Sequence, residues 1–235
     1  MPFSPPNKDE ILAVSGQSDA YIPLVKFGLS GTITNGSTED LWSYGGTLQY
    51  LSSAERMDVV SSSASDTLAI VVQGVDQDYN MINDLVVLNG TTPVKTNLAF
   101  LRIYRCIKAP MQPINVGNIT LTAETSLTVQ AYVEAGIGST EMSHFTIPAG
   151  YFGLLKSARL SISNRDDALV RVFVGSNGEE ARSTSVFNAN SPVDLYYAHQ
   201  PLYVPEKSDV KIVVTAQSNN LTATSNLNLL LVKEM

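Results

Sequence analysis

The segments TLAIVVQGV at residues 67–75 and MINDLVVLNG at residues 81–90, with DQDYN at 76–80 between them, decide the fold class. Both outer segments are rich in β-branched and apolar residues, and the residues between them are polar turn formers. The second segment ends on Asn89-Gly90, the strongest two-residue turn signal in the chain. The stretch therefore predicts a β-hairpin with a further turn directly after it.

The rest of the chain shows the same pattern of strand segments separated by turns. Apolar and polar residues alternate with the period of two that marks half-buried strands over residues 117–124, 127–134, 158–163, 170–174, 210–217 and 226–231. Polar turns and proline-marked corners separate these segments at roughly 8–12 residues, and no helix-scale hydrophobic pattern intervenes. The sequence predicts an all-β fold of the antiparallel β-sandwich or jelly-roll type.

Three further segments carry narrower expectations. Leu48 to Leu51 has the composition of a short strand. Leu98 to Lys108 is apolar on both faces, which favours a long central strand. Cys106, the one cysteine of the chain, lies inside that segment and is expected to be a small buried side chain.

Prolines mark the expected organisation of the chain. Three of the first six residues are proline, which disfavours both helix and sheet, so residues 1–20 are predicted to form an extended N-terminal arm. Two more prolines in the run 109–116 mark the expected internal boundary. We expect residues 21–112 to form the first half or domain and residues 113–235 the second. The sequence leaves open whether these are one intertwined sandwich or two.

Composition argues against several classes of function. Only 16% of the 235 residues are charged, and the net charge is −7. An acidic chain repels phosphate backbones and anionic lipids, so we expect neither nucleic-acid nor membrane binding. No segment approaches the roughly 20 apolar residues of a membrane helix. The first residues lack the basic and apolar regions of a secretory signal, which predicts that none is present.

The chain contains few residues that could take part in catalysis or metal binding. His144 and His199 are the two histidines, and no zinc-ligand spacing surrounds either one. We expect both to form hydrogen bonds at a surface or an interface. Asp76, Asp78 and Asn80 share the first spacings of a calcium loop but lack its glycine and distal glutamate, so a hairpin turn is the preferred interpretation. We predict no enzymatic activity, no cofactor and no metal.

A group of tyrosines is the main candidate for binding. Tyr196, Tyr197 and Tyr203 lie near His199 in the sequence and fit either an oligomer interface or a glycan-binding groove. The interface is favoured, because aromatic residues make up only 8% of the chain and there is a single tryptophan. No pair of carboxylates indicates glycoside hydrolysis. The candidate interface residues are Pro5, Pro6, Ile11 and Leu12 of the arm, with Tyr196, Tyr197 and Tyr203.

A series of short motifs runs through about residues 25 to 165. They are Lys26-Phe27-Gly28, Glu39-Asp40-Leu41-Trp42, Gly45-Gly46, Val59-Val60-Ser61-Ser62-Ser63, Gln73-Gly74-Val75-Asp76, Val87-Leu88-Asn89-Gly90-Thr91-Thr92-Pro93-Val94, Phe100-Leu101-Arg102-Ile103 and Gly117-Asn118-Ile119-Thr120. In these motifs the chain resembles a family of tailed-bacteriophage virion structural proteins, seen particularly in phages of aquatic bacteria. The shared motifs are strand and turn patterns rather than catalytic ones.

The resemblance implies a non-enzymatic virion component that is assembled in the bacterial host cytoplasm. Its partners would be other virion proteins, either the major capsid protein or tail proteins, and further copies of itself, commonly as a trimer. A capsid decoration or cement protein is the first expectation. The alternative is a tail, baseplate or fibre subunit that binds a host-surface glycan or receptor. A low-charge surface rich in serine and threonine suits subunit packing in either case.

Overall fold

The computed structural model describes residues 20–163, 167–175, 182–189, 193–196 and 201–234. No α-helix occurs among these residues, and none of them forms a helix that could span a membrane. The all-β prediction is confirmed for this part of the chain. The strands are β1 Tyr21–Ile33, β2 Thr38–Asp40, β3 Met57–Ser61, β4 Ala69–Val75, β5 Met81–Val87, β6 Val94–Lys95, β7 Arg102–Lys108, β8 Ile119–Ala123, β9 Val129–Val133, β10 His144–Thr146, β11 Tyr151–Ile162, β12 Ala168–Gly175, β13 Arg182–Ala189, β14 Val193–Tyr196, β15 Leu202–Val204, β16 Asp209–Ala216 and β17 Leu221–Lys233.

The described strands form four sheets, and every pairing between them is antiparallel, as predicted. The first sheet has the order β1-β17-β11-β14, with β15 also beside β11, and the second has the order β10-β16-β12-β13, with β2 also beside β16. The third is β6-β3-β8-β9 and the fourth is β5-β4-β7. The hairpin that decides the fold class is β4–β5, with Ala69 opposite Val87 and Val75 opposite Met81.

Three strand pairings join the parts of the chain before and after the proline-marked run at 109–116, and one of them is β2 with β16. Strand β3 pairs with β8, which follows that run. Strand β1 pairs with β17 from Tyr21 opposite Val232 to Ile33 opposite Leu221. The division into residues 21–112 and 113–235 stays a prediction, but hydrogen-bonded sheets connect its two sides. The predicted arm lies outside the described residues except for Ala20.

Alternation places one side of each long strand in a shared core. In β16 the side chains of Val210, Ile212 and Val214 are buried while the residues between them are less so, and β17 buries Leu227 and Leu229 in the same way. Such side chains each contribute roughly 1.5–3 kcal/mol when they leave water. Cys106 is also fully buried as predicted, and burial raises the pKa of its thiol to about 12.

Two narrower expectations are wrong. Residues 48–51 form no strand, because side chains rather than a neighbouring strand bind their backbone: Asp40 accepts from the Leu48 amide and Gln130 donates to the Gln49 carbonyl. Strand β7 is buried on both faces but lies at the end of its sheet, and β4 is the central strand. The irregular segment 138–140 covers the outer edge of β7 through backbone hydrogen bonds to Cys106 and Lys108.

Gly74 allows the close approach of β4 to β7. The register shifts between Gln73 and Gly74, and a Cβ atom at Gly74 would lie 2.1 Å from the Arg102 carbonyl oxygen and 2.7 Å from a ring carbon of Phe100. Both neighbours belong to buried residues that have little room to move. Glycine is therefore the residue that this bulge accepts.

We expect Gly74→Ala to lower the free energy of unfolding by about 1–3 kcal/mol, because the added methyl group overlaps backbone atoms. Gly31→Ala is the matched control, since a Cβ at Gly31 in β1 meets nothing within 4 Å. The measurement is urea unfolding followed by the fluorescence of Trp42. Equal midpoints for the two variants would contradict the steric explanation.

Candidate interaction face

Three of the sequence motifs contribute to one buried group of polar side chains. Lys26, Asp40 and Arg102 come from separate motifs and are 3%, 5% and 9% exposed. We call the group the buried polar cluster; its members are Lys26, Asp40, Tyr50, Arg102, His144, Thr146, Asp209 and Lys211. It connects β1, β2, β7, β10 and β16.

Arg102 is the centre of the buried polar cluster. Its Nε donates to Asp209 Oδ2 at 3.2 Å, and its Nη1 donates to the carbonyl oxygens of Leu51 at 2.8 Å and Leu101 at 2.9 Å. The guanidinium lies 4.4 Å from the centre of the Tyr50 ring, which is a cation–π distance. Burial raises the pKa of the Asp209 carboxyl, and the guanidinium opposes that shift. The contacts that compensate the charge of Arg102 therefore all lie inside the fold.

The second ion pair of the cluster joins β2 to β16. Lys211 Nζ lies 2.8 Å from Asp40 Oδ1 and 3.0 Å from Asp40 Oδ2. Asp40 Oδ2 also accepts from the Leu48 amide at 2.7 Å. Both side chains are largely buried, so the loss of either partner would leave a charge without compensation in the interior.

His144 does not lie at a surface, contrary to the sequence-based expectation. It is 3% exposed in β10, with Nδ1 3.1 Å from the Tyr50 hydroxyl and Nε2 3.4 Å from the Thr146 hydroxyl. Burial lowers its pKa well below the usual value, and the positive charges of Arg102, Lys26 and Lys211 act in the same direction. His144 is therefore an uncharged packing residue of the core. His199 lies outside the described residues.

Lys26 is the least compensated charge of the cluster. Its Nζ donates to the Tyr104 carbonyl oxygen. Burial lowers its pKa to about 7, and the nearby Arg105 contributes to the shift. A lysine in this position weakens the fold whenever it must carry a proton.

The cluster has the properties of a structural network. Arg102 is paired with Asp209 and Lys211 with Asp40, and all four side chains are shielded from solvent. Within the described ranges, no three His, Cys, Asp or Glu side chains are placed to hold a metal ion. At the hairpin turn, Asp76 Oδ1 accepts from the amides of Asp78 and Asn80, both at 2.9 Å, which is how a carboxylate stabilises a turn.

The first sheet presents several apolar side chains to solvent on its outer side. Along β1, Val25 is 57% and Phe27 39% exposed, while Lys26 between them points inward. In the adjacent row across the sheet, Pro23 pairs with Leu230, Leu230 with Leu154, and Leu154 with Tyr203. Tyr203 is 56% exposed, and its ring centre lies 5.4 Å from that of Phe152.

Polar groups, among them the exposed and charged Arg159 opposite Asn226, continue the same side of the sheet. Val25 pairs with Asn228, which pairs with Ser157, and Asn228 Nδ2 donates to Ser157 Oγ at 2.6 Å. Phe27 pairs with Asn226 in the next row. We call this side the interaction face; it comprises Pro23, Val25, Phe27, Phe152, Leu154, Ser157, Tyr203, Asn226 and Asn228.

Of the predicted site residues, Tyr203 belongs to the interaction face. The backbone of Tyr196 pairs with Ser157 on β11, only three positions from the partner of Tyr203. The Tyr196 side chain, Tyr197, and the arm residues Pro5, Pro6, Ile11 and Leu12 lie outside the described residues. Sequence reasoning missed Val25 and Phe27, because residues 21–29 are apolar on both sides of the strand and the sequence does not show which side is turned to solvent.

Comparisons with known proteins assign the chain to no family. No protein-family model matches the chain, and no curated protein matches it. VP2 of infectious bursal disease virus, in a subviral particle, is similar with a TM-score of 0.21 and 9% identity, covering 92% of this chain and 74% of that one. The Gx strain of the same virus gives a TM-score of 0.19 and 8% identity, covering 92% and 73%. Scores this low carry no argument about fold or function.

We expect Lys26→Met to reduce the pH dependence of stability between about pH 7 and pH 10.5. The pKa of Lys26 is about 7 in the folded chain against an ordinary value of 10.5. Between these values the unfolded chain binds a proton that the folded chain releases, so stability rises with pH by up to about 1.4 kcal/mol per unit. Below pH 7 both states are protonated and the whole penalty is present.

The measurement is the free energy of unfolding in urea at several pH values across that window. Lys26→Met removes the titrating amine and keeps a side chain of similar length. The stability of this variant should therefore vary less with pH than that of the wild type. Lys233→Met, at an exposed position of β17, is the control and should retain the wild-type slope. Identical slopes for all three proteins would show that Lys26 titrates normally.

Proposed function

We propose that the protein is a non-enzymatic structural component of a bacteriophage virion, as a capsid decoration or cement protein that stabilises the particle through subunit contacts. The interaction face is the observation that carries the proposal. A sheet whose inner side builds the core also presents Val25, Phe27 and Tyr203 to solvent on its other side, and exposed apolar residues grouped on one face mark interaction sites. Aromatic and apolar residues with few charges are typical of the centres of protein interfaces.

The positions of the motif residues support a structural role. Lys26, Asp40 and Arg102 serve the buried polar cluster, and Gly74 permits the close contact of two strands. Gly28 has a similar task, because a Cβ there would lie 2.5 Å from the Ser143 side chain. The features that the chain shares with virion structural proteins thus specify a packed β-fold. A sandwich or jelly-roll arrangement of its sheets is part of the proposal.

The partners that we propose are the major capsid protein or tail proteins, together with further copies of this chain in a homo-oligomer such as a trimer. The arm, with Pro5, Pro6, Ile11 and Leu12, would attach to a neighbour. Symmetric copies multiply weak contacts, so an interaction face of moderate size is sufficient on a particle.

One observation favours a second candidate function, a tail, baseplate or fibre subunit that binds host-surface glycans. The exposed ring of Tyr203 lies beside Phe152, and the amide of Asn228 and the hydroxyl of Ser157 lie in the next row. Sugar rings stack on aromatic rings, and amides and hydroxyls bind sugar hydroxyls. In this alternative the same face would bind a glycan instead of a subunit.

We expect Phe27→Asp to abolish incorporation into particles, because the carboxylate would be desolvated in the subunit contact. The measurement is the copy number of the chain in purified particles of the phage that encodes it, by quantitative mass spectrometry. Leu127→Asp is the control, since Leu127 is 73% exposed in a turn away from the interaction face and should be incorporated normally. A wild-type chain absent from purified particles would refute the proposed function.

The glycan alternative makes a different prediction. Tyr203→Ala should weaken binding to host-surface glycans at least about tenfold, or about 1.4 kcal/mol, through loss of the stacking surface. The assay is glycan binding by the purified full chain, with Leu127→Asp again as control. Equal glycan binding by wild type and Tyr203→Ala, or none by the wild type, would remove the alternative.

A further inference from the structure

Strand β5 ends its sheet, and one edge of its backbone is open. Among the described residues it pairs only with β4. The hydrogen bonds Leu88 N to Leu68 O and Asp76 N to Asn80 O, both 3.0 Å, fix the phase of this pairing. With the observed register, the even-numbered residues of β5 bond to β4, and the odd-numbered ones direct their N–H and C=O groups away from it. Those residues are Met81, Asn83, Leu85 and Val87.

The side chains of the same four residues are exposed. Met81 is 39%, Leu85 58% and Val87 57% exposed, and Asn83 is exposed as well. The row contains no charge and no proline, which are the features that usually prevent strand addition at an edge. The one charge of β5, Asp84, is buried and accepts from the amides of Asn97 at 2.5 Å and Leu98 at 3.0 Å, so it does not guard the edge. The outward N–H and C=O groups of β5, with the uncharged side chains beside them, are the features that an added extended strand binds.

We propose that the β5 edge pairs antiparallel with β5 of a second copy of this chain, about a two-fold axis at Val86. Self-complementarity, rather than net charge, favours a second copy. The chain carries a net charge of −7, so two copies repel each other over most approaches, whereas this row brings no like charges together. A two-fold contact also requires a surface that complements itself.

The axis at Val86 meets that requirement. It places Leu85 of each copy opposite Val87 of the other, which makes two apolar cross-strand pairs. Odd residues then face odd residues, so the outward N–H and C=O groups of Leu85 meet those of Val87 of the other copy, while Asn83 faces Asn89 at the end of the paired region. Asp84 lies opposite Leu88, whereas an axis at Asp84 would place the two carboxylates opposite each other. The two three-stranded sheets would become one six-stranded sheet whose outer side also includes the half-exposed Val71 and Ile107.

This contact goes beyond the proposed virion role, because two identical copies would form it in free solution. The first test is the oligomeric state of the full chain, by analytical ultracentrifugation from about 1 to about 100 µM. Leu85→Lys places two positive charges at the axis and should weaken dimerisation at least about tenfold. Asn83→Pro should do the same, since it removes an outward N–H that β4 does not use. Leu127→Lys, at a still more exposed position outside β5, should dimerise like the wild type.

Circular dichroism and thermal unfolding show whether each variant is folded. Disulfide crosslinking tests the register of the pairing separately. In the variant Leu85→Cys/Val87→Cys, oxidation should give a covalent dimer, because paired Cα atoms are about 5.5 Å apart, within disulfide range. Met81→Cys/Val87→Cys is the matched control and should not crosslink unless the axis lies at Asp84. Native Cys106 is buried and does not interfere.

Several outcomes would overturn the pairing. They are a wild type that is monomeric throughout the concentration range, a dimer that Leu85→Lys and Asn83→Pro leave intact, and a dimer in which only the control pair crosslinks. A dimer lost in Ile11→Asp/Leu12→Asp but kept in Leu85→Lys would assign the contact to the arm instead. None of these outcomes depends on the presence of the chain in a phage particle.

Discussion

Compensation of buried charge is the constraint on which the rest of the structure depends. Arg102 and Asp209, and Lys211 and Asp40, are removed from water, and each needs its partner in place. These pairs hold β7 to β16 and β2 to β16, while Lys26 and His144 bring β1 and β10 to the same point. One network thus links strands from three of the four sheets, and the interaction face depends on it because Lys26 lies between Val25 and Phe27.

The sequence predicted the features that have a local signal. The hairpin β4–β5 and the alternating strands β8, β12, β16 and β17 follow from periodicity, because each residue's side is set by its immediate neighbours. The buried polar cluster had no such signal, since Arg102 and Asp209 are 107 positions apart and only the fold brings them together. Residues 48–51 looked like a strand because composition cannot show that side chains satisfy their backbone.

The candidate site was predictable only in part. Tyr203 was singled out by its chemistry, and it lies on an exposed face. Val25 and Phe27 escaped notice, because an alternating strand has two sides and the sequence does not say which is turned to solvent. That choice depends on Gly28 and Lys26, which pack inward against Ser143 and Tyr104. The β5 edge escaped notice for a related reason, since the phase of its hydrogen bonds follows from pairing rather than from residue type.

The pairing of β1 with β17 sets the order of events on the ribosome. Tyr21 emerges early, whereas its partner Val232 is made about 200 residues later, a delay of about 10 to 40 seconds at roughly 5–20 residues per second. Until then β1 lacks β17, the strand that pairs with it among the described residues, and its apolar residues are available to other nascent chains. Contacts so distant in sequence also slow folding. The first sheet is therefore completed only once β17 has been made, and a chaperone that shields β1 until then would raise the yield of folded protein.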